Sequence, residues 1–271
     1  MIPVNEESAC RRVIAVDIGN TRVKVAAVDS DRGECVTATA FATTALPEEL
    51  PRAVAELSKG RLGKVPVVLA AVVGPAATVA EDLLRRRRET VLRFSAASLP
   101  LTIHYADAAS LGDDRLANAL YAVKRFPERN VIIVSAGTAI VIDYVANGTF
   151  HGGAILPGIR LQMDSLHRAT DALPQVELPA PRKIPPLPAM STKECIAGGV
   201  LHGCAAAIDA IIAGYTGKNT EDVPPTVLGT GGDWPLLQTL VTAHVDHHPH
   251  ATLGGIAYAF SCMDRGTIDN G

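Results

Sequence analysis

The segment Gly112-Asp113-Asp114-Arg115 brings together groups that a phosphoryl-transfer reaction needs on its acceptor side. A carboxylate can orient or deprotonate an attacking hydroxyl, and a guanidinium can clamp an anionic acceptor through two parallel hydrogen bonds. Both acids open an amphipathic stretch, Asp113–Phe126, with Leu116, Ala119, Leu120 and Val123 on one face. At a helix start the same acids could serve only as caps, favoured by the helix dipole.

The donor side of such a reaction needs phosphate cradles. Gly19-Asn20-Thr21 and Ala136-Gly137-Thr138-Ala139 are tight, small-residue turns with backbone N–H groups and a Thr hydroxyl to offer. Successive N–H groups in such a turn form an anion-binding nest. Gly229–Asp233, GTGGD, is a third glycine turn. Asp17 at the mouth of the first turn could hold a hydrated Mg²⁺, and Lys24 could offset phosphate charge. Taken singly, each turn also reads as an ordinary hairpin or loop. Three turns, two of them on matching strand units, point to phosphate. The chain has neither the GxxxxGK[ST] of a P-loop nor a GxGxxG opening a helix after a strand.

The elements that must position these residues follow from periodicity. Val13–Val28 and Val131–Val145 share one design: apolar strand, small turn, apolar strand. The first carries Asp17 at its turn, and the second carries Ser135. Helices are expected over Leu46–Gly60, over the ATVAEDLLRRRRE segment, from Asp113, after the glycine-rich GTFHGGAILPG, over TKECIAGGVLHGCAAAIDAIIAGYTG, and at the C-terminal LGGIAYAFSCMDRG. VPVVLAAVV reads as a buried strand stopped by Gly74-Pro75, TVLRF and PTVLG as further strands, and LPAPRKIPPLPAMS as a proline-rich surface loop. Interleaved strands and helices give an α/β class, with two halves and a cleft between them for a ligand.

Composition narrows the function. With 25 basic and 28 acidic residues and a net charge of −3, nothing suggests a nucleic-acid or membrane-surface protein. Five scattered cysteines without a CxxC pair favour reduced thiols and a cytoplasmic protein. The polar N-terminus lacks a signal peptide's basic start and apolar run. Apolar stretches are interrupted by Asp or Gly before about 18 residues, so no membrane-spanning helix is expected. Three bland features complete the picture. His244–His250 reads as a solvated loop more readily than a metal site, Arg85–Arg88 as a solvated helix end, and Cys195 and Cys204 as core packing on one helix.

In order along the chain, these motifs resemble those of the type III pantothenate kinases, members of the superfamily of acetate and sugar kinases, Hsp70 and actin. The resemblance runs from about Val13 to about Tyr258 and rests on DIGNTRVK, Tyr105 with Gly112–Arg115, GTAIVID, GGAILPG, STKECIAGGVLHG, TGGD and HATLGGIAYA. It implies two ribonuclease H-like, actin-like domains. The first would span 1–117, with the closing helix of about 252–271 packing back on it, and the second 118–251. It implies ATP-dependent phosphorylation of pantothenate at its 4′-hydroxyl, the first step of coenzyme A synthesis, by a homodimer. Asp114 would be the catalytic acid. Tyr105, Gly112, Asp113, Arg115 and Thr192 would surround pantothenate. Asp17, Gly19, Asn20, Thr21, Lys24, Gly137 and Thr138 would face ATP, with Asp17 at Mg²⁺.

The sequence departs from the family pattern in four places. Ser135 stands where an acid is usual, in the region that holds K⁺ or NH₄⁺, and can supply only a neutral oxygen. Val141 replaces a Thr, LAAVVGP lacks paired serines, and ADAAS lacks Asn-Pro. These changes keep open an alternative: a non-catalytic nucleotide- or metabolite-binding regulator on the same fold.

Overall fold

The computed structural model describes residues 12–58, 65–87, 89–95, 99–181, 183–218 and 223–262. The chain forms two compact units. Unit 1 comprises residues up to Pro100, Ala109–Lys124 and the segment from His250 onward; unit 2 comprises Leu101–Ala108 and Arg125–Pro249.

Unit 1 is built on β1 (Arg12–Ile18), β2 (Arg22–Asp29), β3 (Glu34–Ala42), β4 (Val67–Ala71) and β5 (Val91–Arg93), in the order β3-β2-β1-β4-β5. The first three strands are antiparallel neighbours, whereas β4 runs parallel to β1, and β5 parallel to β4. β1 is buried at every position after Arg12, as expected of a central strand covered on both faces. On one face, α1 (Leu46–Leu57) and α2 (Gly74–Arg86) bury Leu50, Val54, Ala80 and Leu84 against Ile14, Val16 and Leu69. α1, expected from the sequence to end at Gly60, spans Leu46–Leu57 and is followed by Ser58, whose N–H and hydroxyl both donate to the Val54 carbonyl, at 2.9 and 2.7 Å. Gly60 lies outside the described residues. α2 begins at Gly74, with Pro75 in its first turn, where a missing N–H costs nothing.

Also in unit 1, α7 (Ala251–Cys262) packs on β1, β2 and β4. It also meets α3 (Asp113–Arg125), whose first turn carries both candidate acids. A Cβ at Gly255 would overlap the Ala117 carbonyl, and one at Gly254 would lie 2.6 Å from the Tyr121 ring. The glycine pair thus lets the helices approach more closely than side chains would allow. A buried bond from Thr252 Oγ1 to Asn118 Oδ1, 2.9 Å, fixes their register.

Unit 2 repeats the plan. Strands β7 (Val131–Ala136), β8 (Ala139–Ala146), β9 (Thr149–Pro157), β10 (Thr226–Thr230) and β11 (Asp246–His247), with β6 (Thr102–Ile103) added, run in the order β11-β10-β7-β8-β9-β6. Again the first three of the chain are antiparallel, and the next is parallel to the first. The repeat read from two hairpins therefore extends to the whole strand order.

α4 (Ile159–Arg168) and α5 (Thr192–Thr216) cover this sheet, and the short α6 (Trp234–Leu237) buries Trp234 in the same core. Contrary to the sequence expectation, α5, at 25 residues, is long and apolar enough to cross a membrane by length and composition. Glycine and Asp209 do not break it. Its apolar character has a local cause, since Ile196, Val200, Leu201, Cys204, Ile208 and Ile212 face the unit 2 core. Cys195 is exposed, not packed as expected, while Cys204 is buried.

Candidate active site

The first hairpin turn is set by its own backbone and by one neighbour. β1 and β2 pair so that Ile18 faces Val23 and Asp17 faces Lys24. Gly19 N–H donates to the Arg22 carbonyl at 3.0 Å. Thr43, just past β3, then binds the turn from outside: its hydroxyl donates to the Gly19 carbonyl at 2.8 Å and its N–H to the Thr21 carbonyl at 3.1 Å. Thr43 did not stand out in the sequence because nothing in its local context marks a contact so far along the chain. Asn20 and Thr21 are left exposed at the tip.

The cross-strand pairing makes Asp17 an ionic site. Lys24 Nζ donates to Asp17 Oδ2 at 3.3 Å. Asp17 is only 6% exposed. Burial raises its proton affinity above the ordinary carboxylate value, Lys24 pulls it back down, and the charges of Asp114 and Asp113 push it up again. The α3 acids are therefore electrostatic neighbours of Asp17, although about a hundred residues separate them in sequence.

Each acid of α3 has its own setting. Asp113 Oδ2 accepts the N–H of Ala71, the last residue of β4, at 2.9 Å. Burial raises its proton affinity, while the Ala71 hydrogen bond and the Arg93 guanidinium oppose the rise. Asp114 Oδ1 accepts the adjacent Arg115 N–H at 2.9 Å. Gly112 gives that carboxylate its space, since a Cβ there would stand 2.6 Å from Asp114 Oδ1 and 3.3 Å from Val72 Cγ1. Arg115, on the next position of α3, is buried. Unit 1 thus assembles Asp17, Lys24, Gly112, Asp113 and Asp114, with the Gly19-Asn20-Thr21 turn directly after β1.

Unit 2 holds the other candidates. Gly137 and Thr138 form the β7–β8 turn, closed by Gly137 N–H to the Ala139 carbonyl at 3.0 Å. Two further glycines press on this turn. A Cβ at Gly158 would overlap the Gly137 and Thr138 carbonyls, and Gly158 N–H donates to Thr138 O at 3.0 Å. Gly231 sits at φ +98°, where a Cβ would overlap the Ala136 carbonyl, and Asp233 N–H donates to that carbonyl at 3.1 Å. The GTGGD and GGAILPG segments therefore converge on the second turn, and a side chain at either glycine would open it.

Ser135 faces Val141 on one neighbouring strand and the buried Thr230 on the other. Tyr105 lies in a different part of unit 2, its ring 6.2 Å from that of Phe150 and against Gly152 at φ +82°. Thr192 opens α5, beside Ser191, whose hydroxyl caps Glu194 N–H at 3.3 Å. One buried acid escaped the sequence reading: Asp143, inside β8 and 2% exposed, with Gly153 making room for its carboxylate. Its strand reads as apolar alternation, so the acid looked incidental. At the C-terminal side of unit 2, His244 Nε2 and Asp246 Oδ1 lie 3.7 Å apart. Among the described residues, no three His, Cys, Asp or Glu side chains group to hold a metal.

A family model described as type III pantothenate kinase matches residues 13–214, a span that leaves out the GTGGD turn and the His244–Asp246 pair among the candidates above. The chain belongs to the type III pantothenate kinase family. Among its relatives is a type III pantothenate kinase of Alkalilimnicola ehrlichii, 33% identical over 90% of this chain and 96% of the relative. That of Chlorobium luteolum is 30% identical, over 94% and 96%. A ROK family glucokinase from Streptomyces griseus, solved with glucose and AMPPNP, superposes with a TM-score of 0.54 at 14% identity, covering 91% of this chain and 98% of that one. At that identity the likeness concerns fold alone, and with the duplicated sheets it places the family member in the actin-like α/β class.

Proposed function

We propose that this chain transfers the γ-phosphoryl group of ATP to the 4′-hydroxyl of pantothenate, yielding 4′-phosphopantothenate and ADP, the first step of coenzyme A synthesis. Family membership supports the reaction. The carrying observation is the placement of Asp114, held beside Gly112 at the start of α3 and close enough to Asp17 to raise its proton affinity. That puts an acceptor-side carboxylate next to a phosphate-side carboxylate and Lys24. Family membership does not favour a non-catalytic regulator.

In this reading, Asp114 accepts a hydrogen bond from the 4′-hydroxyl and aims its oxygen at the γ-phosphorus. The new O–P bond forms as the bond to the β,γ-bridging oxygen breaks, and the hydroxyl proton passes late to Asp114. A carboxylate is a weak base for an alcohol, so orientation is its main contribution. Arg115 answers the pantothenate carboxylate beside Gly112 in unit 1, and Tyr105 and Thr192 are the pantothenate-facing candidates of unit 2. The N–H groups of Asn20 and Thr21 in unit 1 and of Thr138 in unit 2 donate to phosphate oxygens, Gly19 and Gly137 shape those turns through N–H bonds to the Arg22 and Ala139 carbonyls, and Lys24 offsets phosphate charge.

Mg²⁺ fits Asp17. A buried carboxylate with raised proton affinity gains from a cation, and a single protein carboxylate suits a metal that keeps its waters and binds phosphates. When bound, the ion neutralises phosphate charge; Asp17 would hold it through water. Ser135 lies between Val141 and Thr230, a neutral setting that suits a weak or absent requirement for K⁺ or NH₄⁺. We also read the protein as a cytoplasmic homodimer, from the family resemblance and the cysteine usage.

The test is turnover of pantothenate with ATP and Mg²⁺ in sodium, potassium and ammonium salts, beside Asp114→Asn. The expected result is wild-type activity that varies less than about threefold across salts, and a loss of at least about a hundredfold in Asp114→Asn. Folded protein without turnover in any salt would overturn the reading.

A further inference from the structure

We propose that Asp113 is a positioning residue, setting the placement of Asp114 relative to Asp17, and that it does so through the Ala71 amide. The proposal rests on the kinase reading for its kinetic consequence, but its structural part stands without it.

The end of β4 is fastened on two sides. Toward β1, Ala71 pairs with Ile18 and Ala70 with Asp17. The Val72 N–H then donates to the Ile18 carbonyl at 3.1 Å. Toward α3, the Ala71 N–H donates to Asp113 Oδ2 at 2.9 Å. Val72 Cγ1 also abuts the site of Gly112. A continuous path therefore runs from Asp17 on β1, across the last residues of β4, to the first residue of α3. Asp113 is its final link, and Asp114 is the next residue.

Asp114 itself depends on that link. Its Oδ1 bond goes to the N–H of the adjacent residue, so it turns with the helix start and does not anchor it. Arg93 balances the Asp113 charge from β5, which pairs with β4 on its other side. The acceptor oxygen is what the path requires, and asparagine would supply it as well as aspartate. Alanine would leave a partly buried N–H without its partner, at the cost that usually follows.

The test combines kinetics with hydrogen exchange at the Ala71 amide, on the full chain, in Asp113→Ala and Asp113→Asn. The expected Asp113→Ala result is a kcat lower by about 10- to 100-fold with KM for both substrates within about twofold, since a displaced carboxylate misaligns the attack. Ala71 exchange should quicken roughly tenfold. Asp113→Asn should keep near wild-type kcat and protection. A KM for pantothenate that rises in both variants with kcat held would overturn the proposal in favour of direct substrate contact. So would unchanged Ala71 exchange in Asp113→Ala, or loss of turnover in Asp113→Asn with protection intact. If Asp113→Ala does not fold, the asparagine variant decides, with retained kcat and protection expected. A wild type without turnover defeats the kinase reading alone, and Ala71 exchange still tests the anchor.

Discussion

The two hairpins that open the units have the same strand order around them and different means of holding their turns. In the β1–β2 hairpin, Asp17 faces Lys24, so a buried acid has a cation across the strand pair. In the β7–β8 hairpin, Ser135 faces Val141, and neither charge is present. The first turn is pinned by hydrogen bonds from Thr43. The second is pinned by hydrogen bonds from the Gly158 and Asp233 N–H groups and by backbone contact with Gly158 and Gly231, from two separate segments. Both turns are thus tied by directional bonds, and the second is fixed by close packing as well. The difference shows which substitutions each can survive: the first tolerates loss of a contact, the second does not tolerate added volume.

The largest effect expected from that contrast is at Gly231. Gly231→Ala must hold a left-handed φ of +98° and overlap the Ala136 carbonyl. Denaturant unfolding should show a loss of about 2–4 kcal/mol, with a raised KM for ATP. Gly137→Ala, in the same turn but with nothing within 4 Å of the added methyl, should change stability by less than about 0.5 kcal/mol. Equal effects at the two positions would show that the second turn is not held by packing.

A smaller effect of opposite sign is expected at Asp17. Burial raises its proton affinity in the folded protein above the ordinary value of 3.8. Between that value and the higher folded one, the native state binds the proton more tightly, so stability falls as pH rises through the window. At pH 7 the ionised carboxylate is a stability cost kept for function. Asp17→Asn in Mg²⁺-free buffer should therefore be more stable than wild type at pH 7, while turnover is lost. The stability difference should close below pH 3.8. A thermal-unfolding series across pH measures this, and a destabilised variant at pH 7 would show that the Lys24 pair outweighs burial.

Thr43→Val gives the smallest change. It removes the hydroxyl bond to Gly19 O but keeps the N–H bond to Thr21 O. A loss of about 0.5–1.5 kcal/mol is expected, with KM for ATP raised no more than about threefold. A loss as large as that of Gly231→Ala would erase the distinction between the two turns.

The fold was legible wherever a residue's neighbours in sequence set its structure. The apolar strand, small turn, apolar strand pattern of Val13–Val28 and Val131–Val145 gave the hairpins, and Gly74-Pro75 marked the stop of the strand before α2. Reading failed where distant residues decide. α5 was read as one helix through Asp209, but nothing local showed that this acid accepts the Thr242 and Ala243 N–H groups at 2.9–3.1 Å. Those partners lie 33 and 34 residues along the chain, beyond the reach of any local pattern.

By itself, the sequence determined the α/β class, the duplicated hairpin, the family and the set of acids and glycines, because strand periodicity, turn chemistry and motif order are local or linear properties. Tertiary structure alone decided which of them meet. It put Asp113 on Ala71, Asp114 in the space left by Gly112, and Gly158 and Gly231 on the second turn. Hydrogen bonds and van der Waals contacts act over a few ångströms of space, and no spacing along the chain records that distance.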